Sequence, residues 1–366
     1  MRVHSSYTGV TAMQRLRHES QWPLVSIIVL NLNGLEHLDT CLKSVAMTTY
    51  PNFEVILVDN GSTDGSVEHV AKRYPSVRII RNNRNLGFAA ANNVGIRLTK
   101  GDYVILLNND TEVDPNWVSE MVQVAESDPL IAACQPKIMN FYDRKKFEYA
   151  GAAGGFIDIY GYPLARGRVF DFVEIDHGQY DNSCNIFWAS GAAMLIKRQA
   201  LRKTGLLDEL FFIYHEETDL CWRFHLSGYR VVFVPSAKIF HKGGATYKRK
   251  PYASWYLLHR NDFVMLMKNY STHNLVKITV PRLTLEFVAA CKFAFERDMN
   301  RVWVMIKAMF WVLKNLGAIL KERSKVQTCV RTSTDDYVKK FMIKKSISLL
   351  FFTKKMKTFH DLKRYL

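Results

Sequence analysis

From Leu24 onward the sequence alternates short apolar runs with segments of helical length, and this alternation limits the possible folds more than any other feature. Apolar runs of about four to eight residues predict buried strands, and longer amphipathic stretches predict helices. Strands that alternate with helices are typical of βαβ units around a mostly parallel sheet flanked by helices. We therefore predict an α/β fold.

The predicted elements can be placed along the chain. Strands are expected at Val25–Leu30, Phe53–Val58, Val77–Ile80, Asp102–Leu107, Ala192–Ile196 and Tyr229–Val234. Helices are expected near Leu35–Met47, from Gly65 to Arg73, and near Phe88–Leu98, Pro115–Ser127 and Thr218–Ser227. Residues 140–185 have weak periodicity, which predicts loops and short strands that shape a pocket.

Two carboxylates directly follow predicted strands, at the sheet edge where open α/β sheets bind ligands. Asp59 ends the second strand and precedes Asn60-Gly61, so it is either a turn-forming residue or an acceptor for a nucleotide base or ribose. Asp110 follows Asn108-Asn109 after the fourth strand. It can form an Asx turn, or it can bind a hard cation such as Mg²⁺ or Mn²⁺.

Further along the chain, an acidic cluster and a histidine are candidates for chemistry. Glu216, Glu217 and Asp219 begin a predicted helix between aromatic residues. Acidic residues stabilise a helix N-terminus, but a carboxylate beside apolar surface also has the raised pKa of a general base. His241 ends a mostly apolar run before Gly243-Gly244 and is either a structural histidine or a metal ligand.

In this order and spacing the segments resemble the family 2 inverting glycosyltransferases with the GT-A fold, particularly their rhamnosyltransferase-like branch. The similarity covers about residues 24–320. It is carried by residues 25–34, 58–66, 85–95, 106–111, 189–196, 207–229, the segment around His241, and 259–261. The resemblance implies a Rossmann-like catalytic domain that uses a nucleotide-diphosphate sugar.

The resemblance also implies a role for each matching residue. Glu217 would be the general base that deprotonates the acceptor hydroxyl, with Glu216 and Asp219 as alternatives. Asp110 and His241 would bind a divalent cation, Mg²⁺ or Mn²⁺. The nucleotide-sugar pocket would contain Leu30, Asn33, Asp59, Asn60, Asn85, Gly87, Asn92, Asn108 and Asn109.

The sequence departs from the family pattern in three places. Asn108 replaces the first Asp of the Asp-x-Asp metal motif, Glu217 replaces an Asp, and Ala91 stands where Gly is common. The Gln-x-x-Arg-Trp motif of processive synthases is absent from the sequence. The resemblance therefore implies the transfer of one sugar per encounter.

Most of the net charge of +16 lies in the C-terminal part, where residues 261–366 contain 21 Lys/Arg and 8 Asp/Glu. Such asymmetry indicates an anionic partner. Within Arg301–Lys321 the lysines 307, 314 and 321 recur every seven residues, near one stripe of an otherwise apolar helix. We predict an interfacial helix on an anionic membrane, with a core helix as the alternative; Tyr337–Phe359 repeats the basic-apolar pattern.

We predict a flexible tail over residues 1–23, a GT-A domain over 24–260 and a basic amphipathic helical, membrane-associating region over 261–366.

Six scattered cysteines and an N-terminus without an apolar run predict a cytoplasmic enzyme. With the basic C-terminal region, this predicts a peripheral enzyme on the cytoplasmic face of the membrane. The predicted partners are a nucleotide-sugar donor, a glycan or lipid-linked acceptor and the membrane surface, in cell-surface polysaccharide or glycoconjugate synthesis. Alternatives are a sugar nucleotidyltransferase or a non-enzymatic membrane- or nucleic-acid-binding protein. Nucleic acid is not expected, since the motifs lie in the nearly neutral residues 1–260.

Overall fold

The computed structural model of the protein describes residues 22–243 and 251–366. The predicted tail over residues 1–23 therefore lies almost wholly outside the described residues. The strands are β1 Val25–Asn31, β2 Phe53–Asp59, β3 Arg78–Arg81, β4 Tyr103–Asn108, β5 Thr111–Val113, β6 Ile131–Asn140, β7 Gly155–Asp158, β8 Pro163–Ala165, β9 Arg168–Val169, β10 Phe172–Val173, β11 Cys184–Ile186, β12 Ala193–Lys197, β13 Arg230–His241 and β14 Met342–Ile343.

The α-helices are α1 Leu35–Ala46, α2 Ser66–Arg73, α3 Gly87–Leu98, α4 Trp117–Glu126, α5 Arg198–Thr204, α6 Glu216–Leu226, α7 Pro251–Asn269, α8 Thr272–Phe295, α9 Met299–Lys314, α10 Leu316–Lys325, α11 Asp335–Val338, α12 Ile347–Lys354 and α13 Phe359–Leu362. A π-helical turn follows α10 at Val326–Val330. The strands and helices predicted before residue 240 are present, and most ends differ by a few residues; the strand predicted at Tyr229–Val234 is longer, since β13 continues to His241.

The larger sheet has the strand order β11-β13-β6-β12-β4-β1-β2-β3, and β5 pairs with β13. Of its strand pairs in the described residues, four are parallel and four are antiparallel. The prediction of a mostly parallel sheet was wrong in this respect, because β12 lies antiparallel between β4 and β6. A short apolar strand has the same pattern read in either direction, so the sequence does not indicate its orientation.

Both faces of the larger sheet are covered by helices. On β1, Val25, Ile27 and Val29 belong to one buried cluster, which also includes the apolar face of α1. Ile28 faces the other side, in the cluster that includes α3 and α6. Burial on both faces explains why the strands read as continuous apolar runs, and it leaves the sheet edge as the place for polar groups.

The last 25 residues complete a second, smaller sheet with the order β10-β9-β8-β7-β14. Strand β14 pairs in parallel with β7, and the Asp158 carboxylate accepts a hydrogen bond from the Ile347 N–H at 2.9 Å. The rings of Phe156 and Phe359 pack 4.9 Å apart. Residues 342–366 are therefore part of the core, and the predicted domain boundary at residue 260 falls inside α7.

The basic segment from Arg301 to Lys321 does not form the one helix that its pattern predicts. Helix α9 ends at Lys314, α10 begins at Leu316, and the two are bent by 65°. Lys321 therefore does not continue the stripe of Lys307 and Lys314. Among the described residues no single helix is long and apolar enough to span a membrane, although this bent pair passes that test by length and composition.

Candidate active site

Polar side chains from three neighbouring strands meet at the carboxyl edge of the larger sheet. Asn31 at the end of β1 connects them, because its Nδ2 donates to Asp59 Oδ1 at 3.2 Å and its Oδ1 accepts from Asn109 Nδ2 at 2.6 Å. The sequence interpretation assigned no role to Asn31. An amide directly after an apolar strand, beside two other polar strand ends, was the available signal.

Asp59 holds the loop that follows β2. Its side chain is buried, and Oδ2 accepts the Ser62 N–H at 3.1 Å. Asn33, in the left-handed region at φ 49°, donates its N–H to Ser62 Oγ and accepts the Thr63 N–H, both at 2.8 Å. The turn-forming interpretation of Asp59 is therefore present in the structure, and it fixes a loop beside the cluster of strand ends.

A second loop, which carries Asn85 and leads into α3, is joined to the loop that follows β2. Asn60 donates from Nδ2 to Asn85 Oδ1 at 3.0 Å, and Asn85 Oδ1 also accepts the Gly87 N–H at 2.8 Å. Asn92 is buried on α3, where its Nδ2 donates to Phe88 O, and among the described residues its Oδ1 has no hydrogen-bond partner. Asn60 and Asn85 thus lock two loops together, while Leu30 is half-buried at the end of β1.

Asp110 and His241 come together although 131 positions separate them. His241 ends β13, and its Nε2 lies 3.0 Å from Asp110 Oδ1, while Asp110 Oδ2 accepts the Gly243 N–H at 3.2 Å. Burial would lower the pKa of His241, but the charges of Asp110 and Glu148 outweigh it and raise that pKa to about 10. Burial likewise opposes ionisation of Asp110, yet the charge of His241 dominates and lowers the pKa of Asp110.

The pair fits a divalent cation. Asp110 Oδ1 and His241 Nε2 lie 3.0 Å apart, so one carboxylate oxygen and one imidazole nitrogen would be available to hold such an ion. The Asn108 amide also lies here, with Nδ2 3.2 Å from His241 Nε2. Rotation of the Asn108 side-chain amide by half a turn would put Oδ1 in the place of Nδ2, and an amide oxygen is a suitable ligand for a divalent cation. Within residues 22–243 and 251–366 no group of three or more His, Cys, Asp or Glu side chains is arranged to hold a metal ion.

Glu216 and Glu217 begin α6; the Glu216 side chain is buried, whereas Glu217 is partly exposed. Burial raises the pKa of Glu217, although backbone N–H groups of Gly191 and Thr218 and the charge of His215 oppose the change. Burial and the charge of Glu217 raise the pKa of Glu216 well above its usual range. Because the groups that favour a carboxylate surround Glu217, the shared proton belongs on Glu216 and the charge on Glu217.

Asp219 has different surroundings. It is fully buried, with Oδ2 accepting from Arg223 Nε at 2.9 Å and Oδ1 accepting from Asn269 Nδ2 at 2.8 Å, and Lys268 Nζ lies 3.0 Å away. Burial opposes its ionisation, but the charges of Lys268 and Arg223 outweigh this and lower its pKa. A carboxylate held by two cations fastens α6 to α7 and is a weak base, so the geometry favours Glu217 over Asp219.

The loop before α6 is strained, and α7 holds it in place. Phe212, Tyr214 and His215 have φ values of 64°, 74° and 70°, a region that costs a residue with a side chain about 1–3 kcal/mol. Asn261 Nδ2 donates to the carbonyl oxygens of Phe211, Ile213 and Tyr214, and Arg260 donates to those of Leu210 and Phe211. Arg260 and Asn261 belong to the segment 259–261 that resembles the family, but the sequence indicated no role for them. In the structure they hold the loop before α6 in position.

Hydrogen bonds connect the loops that carry the base candidate and the cation pair. Glu217 lies against the Gly191 N–H, and the next residue, Ala192, accepts a hydrogen bond from the Asn108 N–H at 3.0 Å. The loop before Glu217 reaches the other side as well, since Phe212 O accepts the N–H of Phe88 at the start of α3. A sheet edge with a carboxylate–imidazole pair, a partly exposed carboxylate of raised pKa and polar loops can bind a phosphorylated substrate and remove a proton from an alcohol.

Comparisons with known proteins identify the family of the sheet domain. Residues 26–205 match the profile of Glycosyl transferase family 2. The chain is 26% identical over 263 residues to an N-acetylglucosaminyl-diphospho-decaprenol L-rhamnosyltransferase of Mycobacterium tuberculosis, covering 68% of this chain and 85% of the relative. It is 28% identical over 231 residues to the O-antigen biosynthesis protein RfbC of Myxococcus xanthus, covering 61% of this chain and 18% of the relative.

Solved structures give the fold. A mannosyltransferase from Pyrobaculum calidifontis, in complex with GDP-Man and Mn²⁺, superposes with a TM-score of 0.50 at 15% identity, covering 92% of this chain and 89% of that one. Fold, site and relatives together define an enzyme of the glycosyltransferase class. The chain is a glycosyltransferase with a family 2 domain over residues 26–205 and the GT-A fold, as the resemblance predicted.

Proposed function

We propose that this glycosyltransferase moves one sugar per encounter from a nucleotide-diphosphate sugar to a hydroxyl of a glycan acceptor, with inversion and with the help of a divalent cation. The observation that supports this function is a carboxylate of raised pKa, Glu217, whose neighbouring loop is hydrogen-bonded to the strand end beside the Asp110–His241 pair. A displacement reaction needs both a base and a stabilised leaving group.

In the proposed reaction Glu217 accepts the proton of the acceptor hydroxyl. The acceptor oxygen then forms a bond to the anomeric carbon as the bond from that carbon to the diphosphate oxygen breaks, and the nucleoside diphosphate leaves. A cation held by Asp110 and His241 would neutralise the charge that develops on the diphosphate. Attack from the side opposite the leaving group inverts the anomeric centre. The Asp59 and Asn60 loops would form the walls of the donor pocket.

We propose a lipid-linked acceptor and a role in cell-surface polysaccharide synthesis. The Mycobacterium tuberculosis relative is named for an N-acetylglucosaminyl-diphospho-decaprenol acceptor and for rhamnose, and the Myxococcus xanthus relative is named for O-antigen biosynthesis. Both names concern surface glycans, and the first names a lipid carrier. A rhamnosyl or hexosyl donor fits this likeness.

The test of the activity is a panel of nucleotide-diphosphate sugars incubated with Mn²⁺ or Mg²⁺, with and without a polyprenyl-diphospho-sugar acceptor. Release of nucleoside diphosphate that depends on one donor and one ion is the expected result. If no donor is consumed, the proposal fails. Release of pyrophosphate from a nucleoside triphosphate and a sugar 1-phosphate would instead favour a sugar nucleotidyltransferase.

Helices α8 and α9 have exposed apolar faces, which support a proposal that they meet the membrane that such an acceptor requires. One face of each helix is buried, and the opposite face is apolar and exposed. On α8 it contains Val276, Val280, Leu283 and Phe287, at spacings of four, three and four residues, and on α9 it contains Ile306, Phe310 and Leu313. We call these seven residues the apolar hairpin face. Exposed Lys307 and Lys314 border it, and we propose that it lies on an anionic bilayer, peripheral at the cytoplasmic side.

Point substitutions on the surface test membrane binding. A truncation after Asn300 would not, because it would also remove residues 342–366, which are part of the core. Phe287→Ser with Phe310→Ser is expected to lower flotation with phosphatidylglycerol vesicles at least about tenfold, since each buried Phe contributes roughly 1.5–3 kcal/mol. Lys307→Glu with Lys314→Glu is expected to weaken capture mainly at low salt. Leu130→Ser, at a residue 52% exposed on the catalytic domain, is the matched control. Flotation of the Phe variant equal to the wild type contradicts this proposal.

A further inference from the structure

A third acidic residue lies behind the cation pair. Glu148 is 4% exposed, and its Oε2 lies 3.1 Å from His241 Nδ1, on the side of the imidazole ring away from Asp110. No sequence signal singled it out, because it lies in residues 140–185, where the periodicity is weak. Glu148 is not part of the acidic cluster of Glu216, Glu217 and Asp219, so its position needs a separate explanation.

The surroundings of Glu148 are built to hold its carboxylate. Its N–H donates to Ile138 O at 3.0 Å, which attaches this residue to β6, and Oε2 accepts the Ala150 N–H. Gly243 approaches so closely that a Cβ there would lie 2.4 Å from Glu148 Oε1. Any residue but glycine at position 243 would push the carboxylate away. Glu148 is thus fixed by backbone on two sides and presents one oxygen to the imidazole.

We infer that Glu148 is a positioning residue that prepares His241 to bind the cation. Glu148 Oε2 contacts Nδ1 as an ion pair and not as a well-aligned hydrogen bond. A negative charge on that side of the ring favours a proton on Nδ1, which would leave the lone pair of Nε2, on the Asp110 side, for a cation. Carboxylate–histidine–metal arrangements of this kind raise the basicity of the histidine. Glu148 is not a direct ligand, because it contacts the opposite ring nitrogen. The inference rests on the proposed cation site and adds a residue to it.

The test is the binding of Mn²⁺ itself, followed by the electron paramagnetic resonance signal of the free ion, with and without UDP. Glu148→Ala is expected to weaken Mn²⁺ binding about 10- to 100-fold. Glu148→Gln, which keeps an acceptor oxygen but loses the charge, is expected to lie between Glu148→Ala and the wild type. Glu112→Gln is the control, since Glu112 is an acidic residue of β5 that pairs with Arg144 instead. Thermal unfolding of each variant shows whether it is folded.

Asp110→Ala separates this inference from the proposed function. If Asp110→Ala binds Mn²⁺ as well as the wild type does, the cation site itself is wrong. If Asp110→Ala loses Mn²⁺ while folded Glu148→Ala and Glu148→Gln retain wild-type affinity, only the role of Glu148 is overturned. A further readout is the ¹⁵N spectrum of His241, in which the wild type is expected to show the Nδ1–H tautomer with Mg²⁺ bound and Glu148→Ala a mixture of tautomers.

Discussion

Glu217→Gln is expected to lower kcat of sugar transfer by about two to four orders of magnitude, because the amide cannot accept the proton of the acceptor hydroxyl. The structure explains why this carboxylate is the base. Burial raises its pKa, while the Gly191 and Thr218 N–H groups and His215 keep the charge on Glu217 in preference to Glu216. Initial rates with saturating donor and acceptor measure the effect, and KM for the donor should change little.

The pH profile of the wild type gives a second measurement of the same residue. A base acts only when deprotonated, so the rate is expected to fall as pH decreases through the raised pKa of Glu217, at a higher pH than an ordinary glutamate would give. Glu217→Gln should lose this acid limb along with the activity. A variant that kept the acid limb would place the base elsewhere.

Glu216→Gln and Glu209→Gln are the controls for this prediction. A protonated, neutral Glu216 resembles an amide, so we expect Glu216→Gln to retain most of the activity. Glu209 is half exposed and pairs with Arg97, so Glu209→Gln is expected to do the same. Loss of activity in Glu216→Gln together with an active Glu217→Gln would exchange the two assignments.

Asp110→Ala is expected to lower kcat/KM by about three orders of magnitude and to abolish the stimulation by Mn²⁺. The variant loses one of the two protein ligands, and the stabilisation of leaving-group charge by a metal ion is worth several kcal/mol, where each 1.4 kcal/mol is about tenfold in rate. Titration of the transfer rate with Mn²⁺ at a fixed donor concentration measures the effect. The rate without added metal should be nearly the same in variant and wild type.

Glu112→Gln serves as the control for Asp110→Ala, since its carboxylate lies two residues away and binds Arg144. Both variants should be examined by thermal unfolding, because Asp110 also accepts the Gly243 N–H. An Asp110→Ala enzyme that remains folded and is still stimulated by Mn²⁺ would show that the cation binds at other residues.

The sequence predicted the parts of the fold that depend on local pattern. Strands β1, β2 and β4 are buried on both faces and end in polar residues, so both their position and their functional ends could be read. The helix break at Asn315 could not be predicted, because a single Asn within an apolar, helical pattern changes the helix propensity by only a few tenths of a kcal/mol. The bend depends on packing instead, since Val312 and Ile319 on either side of it are buried.

Site residues within sequence motifs could be predicted. The roles of side chains whose hydrogen-bond or charge partners lie far away in the sequence could not. Asp219 and Glu217 look equivalent in sequence, and only Lys268 and Asn269, about 50 residues later, distinguish a paired carboxylate from a base. Glu148 has no motif, and its role follows from the meeting of β6 with the end of β13 at His241. The apolar face of α8 has no repeating lysines, so the basic pattern indicated only the segment that forms α9 and the start of α10.

The strained loop before α6 has a consequence for protein engineering. Arg260 and Asn261 hold that loop, and the Arg260 guanidinium also lies 4.5 Å from the Trp311 ring of α9. A junction at the predicted boundary would separate these two consecutive residues. The enzyme is therefore not modular there, and a chimera made to change the acceptor would have to exchange residues 210–215 together with α7 and α9 as one unit.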